Sequence, residues 1–156
     1  MACEPLWNQS LCFEILEHLY LGTSAFGYNE ETLLEKKIAF AINCTSVEQK
    51  YSKVGTLFLN LTDEVNTNIA KYFELTNSTI DQCIKDHKNI LIFCNSAVSR
   101  SPSFVIAYLM AHKNLKLKEA IDFIVEKKNG RDVDPNEGFR KQLKEFAETL
   151  TKPKNC

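Results

Sequence analysis

Short apolar runs, each bounded by charged or turn-forming residues, predict strands at His18 to Leu21, Ile38 to Cys44, Thr56 to Leu61 and Ile90 to Cys94. The last of these, Ile90-Leu91-Ile92-Phe93, is apolar at every position, the pattern of a strand covered on both faces. Ahead of it, Ile69, Tyr72, Phe73, Thr76, Ile80, Cys83 and Ile84 recur at three- and four-residue spacing and predict a long amphipathic helix. Beyond Arg100 the period is helical throughout: Ser101 to about Asn114, Leu117 to Lys128, and Asn136 to about Thr151. In the last of these Phe139, Leu143, Phe146 and Leu150 form the buried stripe. Strands alternating with helices, then helices alone, predict an α/β fold: a central mixed sheet of about four or five strands flanked by helices, with an all-helical C-terminal half.

At 156 residues, 44% hydrophobic and 25% charged, the sequence has the size and make-up of one globular domain. No repeat, low-complexity tract or linker divides it, so a single domain over 1–156 is expected, with its core at about 12–151. A formal net charge of −1 gives no whole-chain attraction to nucleic acid or to an acidic membrane surface. Neither partner is expected, and anion recognition has to be local. No apolar run approaches the ~18 residues of a membrane span. The N-terminus, Met1-Ala2-Cys3-Glu4-Pro5, has neither a basic nor an apolar leader, and Ala2 excludes N-myristoylation. The expected location is the cytoplasm, with the nucleus also accessible, and a monomer is assumed. Six cysteines, at 3, 12, 44, 83, 94 and 156, form no Cys-x-x-Cys pair and have no histidine at metal-ligand spacing, so reduced thiols and no metal site are expected. Without an export signal, the N-x-Ser/Thr sequons beginning at Asn8, Asn43, Asn60 and Asn77 are read as chance.

The chemistry gathers where the buried strand ends. Cys94 is followed by Asn95, Ser96, Ala97, Val98 and Ser99, all small or uncharged, and then by Arg100 and the helix start Ser101-Pro102. Successive backbone N–H groups of residues 95–100 curl around a tetrahedral oxyanion in such a loop, and the helix N-terminus adds partial positive charge. The planar guanidinium of Arg100 matches two phosphate oxygens at once. The same positive field favours the Cys94 thiolate, a nucleophile beneath a bound phosphate. A leaving alkoxide or phenolate needs a proton from another segment; Asp63, just past the Thr56 strand, is the candidate, with Glu64 its neighbour and competitor.

At these residues the sequence resembles the dual-specificity phosphatases of the protein tyrosine phosphatase superfamily, specifically the small ones without a kinase-docking domain. The resemblance covers most of the chain and is carried by Leu19-Tyr20-Leu21-Gly22, Ala41-Ile42-Asn43, Asp63 through Tyr72-Phe73, Ser99-Arg100-Ser101-Pro102, Ile106-Ala107-Tyr108-Leu109-Met110 and Pro135-Asn136-Glu137-Gly138-Phe139. It implies a protein-tyrosine-phosphatase-like fold and a two-step hydrolysis of phosphoproteins without metal or cofactor. Cys94 attacks phosphorus, Asp63 protonates the leaving oxygen and then serves as base, and Arg100 holds the phosphate. Ser101 helps Cys94 leave, while Asn95 to Arg100 bind phosphate. It further implies a shallow pocket open to phosphotyrosine and to phosphoserine and phosphothreonine.

Three positions depart from the family pattern: Phe93 stands for its histidine, Ser96 for its common alanine and Ala97 for its usual glycine. Should position 97 be left-handed, Ala97 costs about 1–2 kcal/mol. These departures motivate a second reading, a phosphoprotein-binding pseudophosphatase, and the expectation that Phe93→His raises turnover. A sulfurtransferase or arsenate reductase, sharing a Cys-to-Arg anion loop, is a third reading that leaves Asp63 unexplained. Lys113, Lys116, Lys118, Lys127, Lys128 and Arg131 are read as solvated helix faces, with a basic rim that attracts anionic partners as the alternative. Cys44 is read as a core thiol or a redox partner of the loop. His18, His87 and His112 receive no role.

Overall fold

The computed structural model describes residues 12–151. Cys3, Cys156, the sequon at Asn8 and the expected N-terminal sequence features lie outside them. Five strands form one sheet: β1 (Cys12–Leu16), β2 (Leu19–Thr23), β3 (Ile38–Asn43), β4 (Gly55–Phe58) and β5 (Asn89–Cys94), in the spatial order β1-β2-β5-β3-β4. The β1–β2 pair is antiparallel, whereas β2–β5, β5–β3 and β3–β4 are parallel, so the sheet is mixed as expected. The apolar Ile90 run is the middle strand. Its pleat divides the interior: Ile90, Ile92 and Cys94 face a large core, and Leu91 and Phe93 face a smaller one on the other side.

The smaller core is closed by two short helices absent from the sequence reading, α1 (Ser24–Gly27) and α2 (Glu30–Glu35), which contribute Phe26 and Leu33. The large core is closed by α3 (Phe73–Lys85), α4 (Arg100–Lys113), α5 (Leu117–Lys127) and α6 (Glu137–Thr151). Every residue of α4 from Arg100 to Met110 is buried, the pattern of a helix enclosed on all sides. It touches β5, α3, α5 and α6. Asn114, left-handed at φ 56°, terminates it, and its N–H bonds the Leu109 carbonyl. Edge-to-face contacts of Phe73 with Phe104 (5.8 Å) and Phe146 (5.0 Å) join α3, α4 and α6.

Several boundaries differ from expectation. The predicted Thr56–Leu61 strand is regular only through Phe58; the chain then turns at Asn60, φ 52°, and Leu61 bonds the Thr45 carbonyl beyond the end of β3. The Ile69 helix opens with a 3₁₀ turn, Ala70–Tyr72, before α3 proper. The helix expected from Ser101 begins one residue earlier, at Arg100, so its N-cap is Ser99. All three shifts fall at the ends of the loops that carry the candidate chemistry.

Candidate active site

β5 delivers Cys94 to the C-terminal edge of the parallel strands, and α4 starts six residues later. Cys94 is 2% exposed and Arg100 8%, while Asn95 and Ser96 are open to solvent. The nucleophile candidate therefore lies at the bottom of a loop whose rim is polar. Ala97 has φ 60° and is fully buried, so the left-handed turn anticipated at this position is present, at a cost of about 1–2 kcal/mol for an alanine.

Four of the loop carbonyls are engaged by groups outside the loop. Asn95 O accepts from Ser24 N (3.4 Å), Ala97 O from Lys128 Nζ (2.7 Å), Val98 O from Asp134 N (2.8 Å), and Ser99 O from Ser103 Oγ (2.6 Å). Among the described residues, the amides of 96–99 have no protein acceptor. Fixing the carbonyls elsewhere leaves these N–H groups for an incoming oxyanion, and the first turn of α4 adds its own partial charge. Ser101 does not cap the helix: from inside the first turn, its hydroxyl donates to Cys94 Sγ at 3.0 Å. Arg100 Nη1 donates to the Leu61 carbonyl (2.8 Å), tying the guanidinium to the segment that leads into Asp63.

Asp63 is exposed on that segment, yet its position is fixed. Its Oδ1 accepts from Ser99 Oγ (2.7 Å) and from Asn136 Nδ2 (2.8 Å), and Ser99 Oγ in turn accepts from Asn136 N (3.1 Å). Asn136 also caps α6 through Phe139 N–H···Oδ1 (2.9 Å), so one residue starts the helix and holds the acid. Gln142 grips the far end of the acid loop: its Oε1 accepts from Ile69 N (2.8 Å) and Ala70 N (2.9 Å), and its Nε2 donates to Thr67 O (2.9 Å). A Cβ on Gly138 would lie 1.8 Å from the Val65 carbonyl oxygen, so only glycine lets the loop sit this close to α6. Glu64, the competitor, is exposed and its side chain makes no hydrogen bond among the described residues. The structure thus brings together Cys94, Ser99, Arg100, Ser101 and Asp63. Asn136, Gln142 and Gly138 were missed as site residues, although Pro135-Asn136-Glu137-Gly138 stood out in the sequence.

Two side chains bear on the sequence reading. Phe93 faces the smaller core, 5.5 Å edge-to-face from Tyr28, and its ring would collide at 2.5 Å with a Cβ on Gly27. Lys128 does not belong to a solvated rim: it is 3% exposed and gives its ammonium protons to Ala97 O and, at 2.6 Å, to Asp132 O. Burial draws this ammonium below the ordinary lysine range, against the opposing pull of negative charge at Cys94 and Asp132. Cys44 is fully buried, its N–H bonded to the Phe93 carbonyl (2.9 Å); burial, reinforced by Cys94 and opposed by Arg100, holds its thiol well above the usual range. Among the described residues no group of three or more His, Cys, Asp or Glu is placed to hold a metal ion, and no helix is long and apolar enough to cross a membrane.

A thiol at a strand end, an arginine opening the next helix and a carboxylate fastened beside them gather at one edge of the sheet of this α/β domain. The family model for the dual specificity phosphatase catalytic domain matches residues 19–149. Human dual specificity protein phosphatase 9 is 30% identical over 141 residues, covering 88% of this chain and 36% of that protein. A MAP kinase phosphatase with leucine-rich repeats of Dictyostelium discoideum is 31% identical over 148 residues, covering 94% of this chain and 17% of that protein. The crystal structure of DUSP15 superimposes with a TM-score of 0.82 at 27% identity, covering 88% of each chain. The chain belongs to the dual-specificity phosphatase family, and its fold is that of a protein phosphatase domain. It spans well under half the length of these two curated relatives.

Proposed function

We propose that this domain hydrolyses phosphotyrosine, and phosphoserine or phosphothreonine, in protein substrates through a phosphocysteine intermediate. In the first step a bond forms from Cys94 Sγ to phosphorus as the bond to the substrate oxygen breaks, and Asp63 gives that oxygen a proton. Because Asp63 Oδ1 already accepts two hydrogen bonds, the proton belongs on Oδ2. In the second step water attacks phosphorus, Asp63 takes its proton, and the sulfur–phosphorus bond breaks to release phosphate and the thiolate. The Ser101 hydroxyl stabilises that departing thiolate, while Arg100 and the amides of residues 95–100 hold the phosphoryl oxygens through both steps.

The observation that carries this reading is the Ser99 hydroxyl bridging the phosphate loop to Asp63 Oδ1 at 2.7 Å, which sets acid and nucleophile on one frame. The pseudophosphatase reading rested on Phe93 and Ala97, but Phe93 packs on the opposite face of the sheet and Ala97 adopts the left-handed turn, so neither displaces a reacting group. Exposed Asn95, Ser96 and Asp63 suit a shallow mouth that admits more than one phosphorylated side chain. Phosphoprotein substrates make the reaction one of signalling, and a thiolate nucleophile suits a reducing compartment such as cytoplasm or nucleus.

The test is turnover of an aryl phosphate against pH for wild type, Asp63→Ala and Cys94→Ser. Cys94→Ser abolishes turnover, and Asp63→Ala lowers it by about 10²–10⁴-fold and removes the limb of the profile that reports the acid. A wild type no faster than Cys94→Ser would sink the proposal.

A further inference from the structure

Lys128 is a buried cation for which the reaction above has no use. A lysine at 3% exposure is rare unless its charge is compensated, yet among the described residues no carboxylate lies within ion-pair distance of it. Its partners are two backbone carbonyls, Ala97 O at 2.7 Å and Asp132 O at 2.6 Å, and the face of Phe13, whose ring centroid lies 5.7 Å away. The first of these carbonyls belongs to the residue at φ 60°, the least relaxed point of the phosphate loop. The second belongs to the segment whose Asp134 N–H bonds the neighbouring loop carbonyl, Val98 O, at 2.8 Å. One ammonium therefore joins the turn of the loop to the strap that runs outside it.

We propose that Lys128 is a positioning residue for the phosphoryl transfer: its ammonium clamps the Ala97 carbonyl outward, holding the left-handed turn that leaves the loop amides free for the phosphoryl oxygens. A backbone unit has its carbonyl and its amide on opposite sides, so fixing Ala97 O away from the loop interior fixes the amide of Val98 toward it. Alanine has no natural preference for this turn, and the family's usual glycine is absent, so an external restraint is what the position requires. The charge also has a purpose that a neutral donor lacks. With no carboxylate in ion-pair contact with it among the described residues, the ammonium adds to the positive field of Arg100 and the α4 terminus at Cys94.

This inference rests on the phosphatase reading, which wild-type turnover tests by itself; the comparison of variants tests Lys128. Steady-state hydrolysis of an aryl phosphate and calorimetric binding of tungstate are measured for wild type, Lys128→Met, Lys128→Gln and Lys128→Arg, each checked for folding by circular dichroism. Lys128→Met is expected to lower kcat/KM on the order of 10–100-fold and to weaken tungstate binding in step. Lys128→Arg, which keeps the charge and two donors, recovers most of both. Lys128→Gln, which keeps a donor without the charge, falls between them and decides the matter should the Met variant not fold. Tungstate affinity is readable even without turnover. A variant series that loses Tm while kcat/KM and tungstate affinity stay within about twofold of wild type, or in which Arg is no better than Met, overturns the proposal.

Discussion

The pleat of β5 turns Phe93 and Cys94 to opposite faces of the sheet, and that half-turn decides what each residue does. Cys94 reaches the loop, while Phe93 fills the small core against Tyr28 and the bare backbone of Gly27. Tyr28 has its own hydroxyl committed to Thr45 Oγ1 at 2.6 Å, so a polar ring at position 93 finds no ready partner there. Sequence alone leads one to expect faster turnover from Phe93→His. The packing predicts the reverse balance: a loss of roughly 1–3 kcal/mol from burying an unpaired nitrogen, with no gain in kcat/KM. Denaturant unfolding alongside aryl phosphate kinetics checks this, and a clear rise in kcat/KM would contradict it. The reacting residues themselves were readable because Cys94, Arg100 and Ser101 act within a few positions of one another on either side of a strand-to-helix junction. Lys128 was not, because Lys127 and Lys128 are chemically alike in sequence and only the docking of α5 chooses which one is buried.

At the scale of elements, α6 is as much a clamp as a layer of the fold. Its first turn carries Asn136 at the cap and Gly138 against Val65, and its second turn carries Gln142, so three residues fix the acid loop along its length. Gly138→Ala tests this. The methyl group would meet backbone rather than a yielding side chain, so the acid loop has to shift. The expected result is a fall in kcat of roughly tenfold or more, since an ångström of misplacement is enough for that. Alkylation of Cys94 by iodoacetamide stays at the wild-type rate, because the phosphate loop is held by other contacts. A parallel loss of both would show that Gly138 supports the loop as well. The stripe of α6 was legible from its period, but its contacts to the acid loop join positions far apart in sequence. β1 was missed for a local reason. Its alternation, Phe13 and Ile15 inward with Glu14 outward, is short, and the turn to β2 runs through Glu17-His18 with His18 at φ 74°. The glycine or asparagine that normally advertises such a turn is absent.

Across the whole molecule, the two cores are sealed by different kinds of contact. The large one is closed by helices, whereas the smaller one is closed partly by the 52–54 segment, which Glu30 holds by accepting from Lys53 N (2.8 Å), Ser52 N (3.2 Å) and Ser52 Oγ (2.8 Å). These bonds hold the Glu30 carboxyl below the ordinary glutamate range, the Lys53 amide foremost. A carboxylate whose pKa is lower in the folded chain than in the unfolded one stabilises fully above the unfolded value and loses that contribution as pH falls through the folded one. Glu30→Gln is therefore expected to lower Tm at neutral pH, with the gap from wild type closing as pH drops below the usual glutamate range. A gap that is constant with pH would assign the effect to packing. The mixed sheet and the two-sided burial of β5 followed from the apolar pattern, whereas the strand order comes from the structure alone and the small helices over the minor core are too short for any periodicity to announce. The place of α6 in the chain also has a consequence in time. Asp63, Cys94 and Arg100 leave the ribosome before Asn136 and Gln142 do, so a nascent chain holds every reacting group while the acid loop still lacks its contacts to α6. The full set of contacts that fixes the acid loop is complete only when the last of the described helices has been made and has docked.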